Sequence, residues 1–319
     1  MDAAGFPLSI RERPRLDAHR LIEEFMIAAN EAVTSWMMDR KWPFIYRVHD
    51  EPSEMALERF QKMAVNLGVP FSYETGSLHL VLPELIERLA GHPAQDMLNM
   101  ALLRSMKQAM YSAEFGRHFG LASPGYSHFT SPIRRYPDLI VHRLIRHALR
   151  VQANLEPALT PQTTQELQEK LEDVAEHCSY RERIASDCER ESIRLKQIRI
   201  MLKHLGDEFD GKVNGMNDNG LFVKINDPFV EGFIPKDSMN DDSYEFNAER
   251  MIFYGRNKKR TFKVGQAIRV RVARADLDQR LLDFALVGTG DAPEPQRTAM
   301  RPSRAENPAH RKSRPKRRS

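Results

Sequence analysis

Arg134 and Arg135 are the side chains of this 319-residue chain best suited to chemistry on an anion. A planar guanidinium grips a phosphate through two parallel hydrogen bonds. Both stand in the run Tyr126–Arg143, YSHFTSPIRRYPDLIVHR. Its opening alternates, which predicts a short strand. Ser131-Pro132 then suits the start of a helix, whose apolar side would carry Leu139, Ile140, Leu144, Ile145 and Leu149. The two arginines therefore fall at a strand-to-helix junction, where unpaired backbone N–H groups and the positive end of a helix favour anions. The plainer alternative is that they are solvated or paired with Asp138.

Two further places hold side chains that suit chemistry. Leu21, Ile22, Phe25, Met26, Ala29, Val33 and Met37 recur at helical spacing after Asp17, a suitable N-cap. The apolar stripe centres near Ile22, Ala29 and Val33. Glu23 and Asn30 lie on one shoulder of it, while Glu24 and Glu31 face the opposite way. An acid on that shoulder either reaches into a cleft or merely edges the helix. In PFIYRVHDEPS (43–53), Arg47 and His49 alternate to one face of a short strand and could line a groove, although a lone histidine there serves equally well as a structural residue.

Hydrolysis of a phosphodiester needs an activated water and a neutralised leaving oxygen, which clustered carboxylates commonly provide by holding divalent metals. The sequence has no such cluster: Asp17, Asp39, Asp50, Asp96, Asp138 and Asp187 are isolated from one another. The two cysteines, Cys178 and Cys188, would face different directions on a helix, which argues against a disulfide and against a metal pair.

The elements that must position these groups are mostly helical as far as Leu205. Residues 54–68 and 82–115 read as amphipathic helices, with Met97, Met100, Met106 and Met110 at core spacing. His118–Phe129 reads as a hairpin around Ser123-Pro124-Gly125. From Pro161 to Leu205 a densely charged pattern predicts a solvated helix laced with ion pairs. After Glu208 the pattern alternates. EFDGKVNGM, GLFVKIN, VEGFIP, AIRVRVARAD and LLDFALV are five strand-like runs separated by turn residues, which suits a small closed barrel of the OB type. Between the third and fourth runs lies an insertion, Lys236–Phe262, acidic at first and then basic, with Asp241-Asp242 expected in an exposed turn.

HFTSPIRRYPDLIVHR (128–143) resembles the signature of the ribonuclease II and ribonuclease R family of 3′-to-5′ exoribonucleases, and is nearest the ribonuclease R branch. LIEEFMIAAN resembles the family's EExMxxAN helix, and YRVHDEP its YRxHxxP element. GKVNGMNDNGLFVKI resembles the RNA-binding OB domain of the ribosomal-protein S1 type that follows the catalytic domain. The resemblance spans residues 15–288 and implies roles. Arg134 would contact the phosphate near the cleaved bond, with Arg135 and Arg47 along the RNA path. Glu23 and Glu189 would lie in the active-site region, Glu189-Arg190 matching the family's ER pair best and Glu182-Arg183 being the rival. Phe222 would stack on a base, with Phe233 and Lys224 beside it. Pro235 replaces a histidine common in the family, which argues against a donor contact there. As an alternative, both phenylalanines could be barrel core.

The implied fold is α+β. It comprises part of a catalytic RNB domain (1–205), a five-stranded OB-fold barrel (206–288) and a disordered basic tail (289–319). The implied cofactor is Mg2+, whose aspartate ligands this chain does not carry. The implied partners are single-stranded RNA and an amino-terminal half bearing those aspartates. The alternative is an RNA-binding fragment with no chemistry of its own.

Charge supports nucleic-acid binding only at the tail. From Asp291 onward nine basic residues face three acidic ones, a net of +6 within a chain of +4, so the remaining body carries −2. The tail's poverty in large apolar residues predicts disorder and a salt-sensitive attraction to RNA. No apolar run approaches the ~20 residues that span a bilayer, and the opening MDAAGFPLSIRERPR does not read as a signal peptide. With few cysteines as well, a reduced cytoplasmic location is expected.

Overall fold

The computed structural model describes residues 5–73, 76–248 and 250–288. The basic tail lies outside the described residues. Six helices and ten strands follow in chain order. The first part holds α1 (Asp17–Asp39), β1 (Tyr46–Val48), α2 (Glu54–Asn66), α3 (Leu78–Leu89), α4 (Gln95–Ser105), β2 (Met110–Ser112), α5 (Tyr136–Gln152) and α6 (Pro161–Met201).

Two cores organise this part. Met37, Phe44, Ile45, Tyr111, Val141, Leu144 and Leu171 join α1, the antiparallel β1–β2 pair, α5 and α6. Leu57, Phe60, Leu85, Leu89 and Leu98 join α2, α3 and α4. Helix α6 spans 41 residues, about 60 Å at 1.5 Å per residue. Thr160 caps it by accepting the Thr163 N–H, and Pro161 occupies its first turn. Its early turns bury Leu171, Ala175 and Cys178 against the first core. Its end buries Ile198, Ile200 and Met201 against the barrel. One charged helix thus ties both parts of the molecule together.

The barrel consists of β3 (Glu208–Asn217), β4 (Gly220–Asn226), β5 (Phe229–Pro235), β9 (Ala267–Asp276) and β10 (Leu281–Leu286), closed in the order β10-β5-β4-β3-β9. These are the five runs expected from alternation. Leu221, Val223 and Ile225 point inward, as do Val230, Ile234, Val270, Val272 and Phe284. Closure depends on glycine at one crossing. A Cβ on Gly232 would lie 2.4 Å from the Phe284 ring, so only a bare backbone lets β5 pass β10.

Several expectations are corrected. Helix α5 starts at Tyr136 rather than at Ser131: residues 132–134 close only a turn onto Ser131 O, Arg135 is extended (φ −124°, ψ 118°), and Pro137 has no N–H with which to continue a helix from upstream. Residues 126–130 form no strand. Isolated bonds hold the segment instead: Arg47 N–H donates to Tyr126 O, Asn30 accepts the Phe129 N–H, and the Ser127 hydroxyl donates to Ile45 O. The expected hairpin at His118–Phe129 is a short 3-10 turn at Phe119–Leu121 closed by the bridge between His118 and Ser123. The helix expected over 82–115 is three elements, α3, α4 and β2, interrupted at Gly91, whose φ of +76° and following Pro93 break it. Met100 and Met110 are exposed rather than core.

The insertion also differs. It folds as an antiparallel sheet of β6 (Tyr244–Asn247), β7 (Ile252–Gly255) and β8 (Thr261–Lys263), with Phe253 and Phe262 fully buried. Asp241 is not in an exposed turn: its side chain is 5% exposed, accepts the Tyr244 hydroxyl and pairs with Arg260. Asp242 accepts backbone N–H groups from Ser243, Asn257 and Lys258; desolvation pushes its carboxyl up, but these bonds together outweigh it and hold the group below the usual range.

Candidate nucleic-acid interface

The two adjacent arginines have opposite environments. Asp138, fully buried in the first turn of α5, accepts the Arg135 guanidinium at 2.7 Å and the Ser131 N–H at 2.7 Å. Arg135 is therefore locked, with its side chain only 20% exposed. Arg134 is exposed. Its one polar contact is a long one to the Ser131 hydroxyl, at 3.5 Å, and no carboxylate pairs with it among the described residues. Ile133 and Tyr136 beside it are exposed too. The tight turn that seats Arg135 thus holds Arg134 outward as an uncompensated cation.

Beneath this turn lies a polar network. Asn30, 2% exposed, donates to the Tyr126 hydroxyl at 2.7 Å and accepts the Phe129 N–H at 2.9 Å, fixing the arginine segment onto α1. Arg47 donates through both terminal nitrogens to Glu182, at 2.6 and 3.0 Å, and its guanidinium lies 4.6 Å over the Tyr111 ring. The Tyr111 hydroxyl meets His128 Nδ1 at 2.9 Å. Burial, with the charges of Arg135 and Arg47, pushes His128 down to about 3. Burial and nearby His49 and Arg47 take His118 to about 4. Both imidazoles are neutral at physiological pH, leaving the arginines to dominate the field.

The other expected residues separate. Glu23 is exposed on the amino-terminal half of α1 and pairs with Arg15. The stripe it borders is uncovered there, with Leu21, Ile22 and Phe25 more than half exposed. The buried face of α1 is Asn30, Thr34 and Met37. Glu189 is exposed on α6, and Glu182, the rival in register, is the glutamate that meets Arg47. His49 points into the loop after β1, where Nδ1 accepts the Gly120 N–H and Nε2 meets Lys107 O. Tyr111 and His128 join the network with no local signal for it, whereas Asn30, on the same shoulder as Glu23, is the residue of that shoulder that turns inward.

On the barrel, Phe222 and Phe233 are directly opposed on β4 and β5, with ring centroids 5.0 Å apart. They alternate with the core residues, so both lie on the outer face, which removes the core alternative. Lys224 shares that face. Its ammonium lies 3.1 Å from Asp96 of α4 and 4.6 Å over the Phe229 ring. A half-buried aromatic pair on an outer strand face, beside a lysine, is an arrangement on which unpaired bases can stack.

No group of three or more His, Cys, Asp or Glu able to hold a metal ion occurs among the described residues. Asp138 faces Arg135, and Glu23 stands apart on its helix. The donor set among the described residues does not fit a divalent-metal centre.

The RNB domain model matches residues 1–151, and the S1 RNA binding domain model matches residues 203–286. The chain is 37% identical over 282 residues to Ribonuclease R 1 of Lactococcus lactis, covering 88% of this chain and 34% of that protein. It is 35% identical over 285 residues to Ribonuclease R of Escherichia coli K12, covering 89% and 35%. Among solved structures, Mycoplasma genitalium RNase R in complex with ribose-methylated single-stranded RNA superposes with a TM-score of 0.80 at 27% identity, over 90% of this chain and 44% of that one. The chain therefore spans about a third of the length of these curated relatives. With both domain models in succession and this similarity along nine-tenths of its length, the chain belongs to the ribonuclease II and ribonuclease R family.

Proposed function

We propose that this chain binds single-stranded RNA and supplies the RNA-holding face of a 3′-to-5′ exoribonuclease of the ribonuclease R type, acting in the cytoplasm. The observation that carries the reading is the contrast between locked Arg135 and free Arg134. A buried carboxylate holds one guanidinium so that its neighbour projects unpaired from a rigid turn, the geometry of a phosphate anchor. The strand would run from this anchor, past Arg47, towards the outer barrel face at Phe222, Phe233 and Lys224. Glu23 and Glu189 have the lesser support of family resemblance, and Glu182 is the acid that geometry favours beside Arg47.

Chemistry on the bound strand would need Mg2+ or Mn2+ held by aspartates on another polypeptide segment. The open apolar side of α1, at Leu21, Ile22 and Phe25, is where such a segment would pack. The absence of a metal-binding cluster among the described residues favours a second reading, an RNA-binding module without turnover.

Labelled single-stranded RNA incubated with the pure chain and Mg2+ or Mn2+ tests both. Binding without shortening is expected from the chain alone, and turnover when an amino-terminal fragment carrying the aspartates is added. Shortening by the chain alone would refute the metal argument. Failure of any such fragment to restore turnover would leave the module reading. Arg134→Ala should reduce reconstituted turnover more than it reduces affinity.

A further inference from the structure

Two cavities meet on the outer face of the barrel. One, about 540 Å3, opens between β3–β4 and helices α2 and α4, with Arg59 and Arg104 on its helical wall. The other, about 570 Å3, opens between β4–β5 and the late turns of α6, with Arg190, Arg194 and Lys224 around it. Each is within the ~300–1,000 Å3 of small-ligand clefts. Asn214, Phe222 and Glu231 line both, so the Phe222 ring divides one cavity from the other.

The polar pair at this divide has a definite chemical sense. Asn214 Nδ2 donates to Glu231 Oε2 at 2.6 Å. Asn214 Oδ1 and Glu231 Oε1 remain as acceptors without a hydrogen-bond partner among the described residues. Arg194 donates to the Glu231 backbone carbonyl at 2.7 Å, fixing the strand that presents the carboxylate.

We propose that Glu231, held by Asn214, reads the edge of an RNA base stacked against Phe222, and that it prefers guanine. Guanine alone among the four bases places two adjacent donors, N1–H and N2–H, on its pairing edge, and a carboxylate accepts such a pair in parallel. Uracil offers one N–H between two carbonyl oxygens that the carboxylate repels. Adenine and cytosine each set a ring-nitrogen acceptor beside their amino group. Arginines on both sides of the divide receive the flanking phosphates, so Glu231 adds selectivity to a cationic path instead of opposing it. This inference rests on the reading that the barrel face binds RNA.

Fluorescence anisotropy with the full chain tests it, using a labelled oligouridine, the same oligomer with one central guanosine, and one with inosine, which keeps N1–H but lacks the 2-amino group. Guanosine should tighten binding about tenfold, and inosine should recover only part of that gain. Glu231→Gln, whose amide oxygen can still accept from Asn214, should erase the difference between oligomers, whereas Phe222→Ala should weaken all three. Equal affinity of the wild-type chain for the three oligomers overturns base reading and leaves RNA binding standing. A preference that survives Glu231→Gln overturns the role of Glu231. Absence of binding to every oligomer overturns both readings. The wild-type comparison of guanosine with inosine decides the matter even if the variant does not fold.

Discussion

The helical part and the barrel satisfy their polar groups to different degrees. In the barrel, side chains alternate cleanly between a closed core and an outer face, and no buried side-chain polar atom of its five strands is without a partner. In the helical part, Thr130 Oγ1, Arg135 Nε, Asp138 Oδ2 and His118 Nδ1 are buried without one. Apolar residues on α1 stand uncovered nearby. The barrel closes its core with the end of α6, whereas the first turns of α1 leave apolar side chains uncovered.

This contrast is open to experiment, and the largest effect is expected at Asp138. Replacing it with alanine leaves the Arg135 guanidinium buried without its counter-charge and frees the Ser131 N–H, a loss of about 3–5 kcal/mol. Both tryptophans, Trp36 and Trp42, are in the helical part, so tryptophan fluorescence in urea reports that part by itself. An unchanged midpoint would mean that the pair is not what fixes the turn.

Next in size is Phe222→Ala, which should cost about 1–3 kcal/mol of single-stranded RNA affinity by loss of stacking while leaving the tryptophan-reported midpoint where it was. If titration shows full affinity in this variant, the barrel is not the platform.

Acidification should separate the two parts further. His128 and His118 are held down to about 3 and about 4 in the fold, against 6.5 for the free side chain. Below about 6.5 the unfolded chain takes up protons that the native one refuses, so the stability these groups contribute is present above 6.5 and is lost as pH falls from there towards 4 and 3. Residues 206–288 contain no histidine, and their shifted carboxyls oppose one another, Asp283 being raised by burial while hydrogen bonds hold Glu208, Asp242 and Asp276 down. The urea midpoint from tryptophan fluorescence should fall between pH 7.5 and 5. A flat profile would show that the two imidazoles are solvated.

The smallest effect expected is on stability at Arg134. It is exposed and unpaired, so alanine there should change the urea midpoint by less than about 0.5 kcal/mol while weakening RNA binding. A destabilised variant would show that Arg134 is structural, and the difference between the adjacent arginines would disappear.

The sequence by itself determined the barrel strands, the long charged helix and the arginine block, because each is written in a local signal. Alternation marks strands that bury one face, and helical spacing with Thr160-Pro161 marks the start of α6. Only the resemblance to the S1-type domain singles out Phe222 and Phe233, and their face stays open until the closed barrel sets them opposite each other on its outer side. Tertiary structure alone decided which arginine is free, because Asp138 could have paired with either until the turn at residues 132–134 set the distance. It likewise decided that Glu182 meets Arg47 across 135 positions of chain, that Asn30 anchors the arginine segment, and that the insertion forms a sheet. Contacts of that range depend on how separate elements cross, and no local pattern of residue types records the crossing.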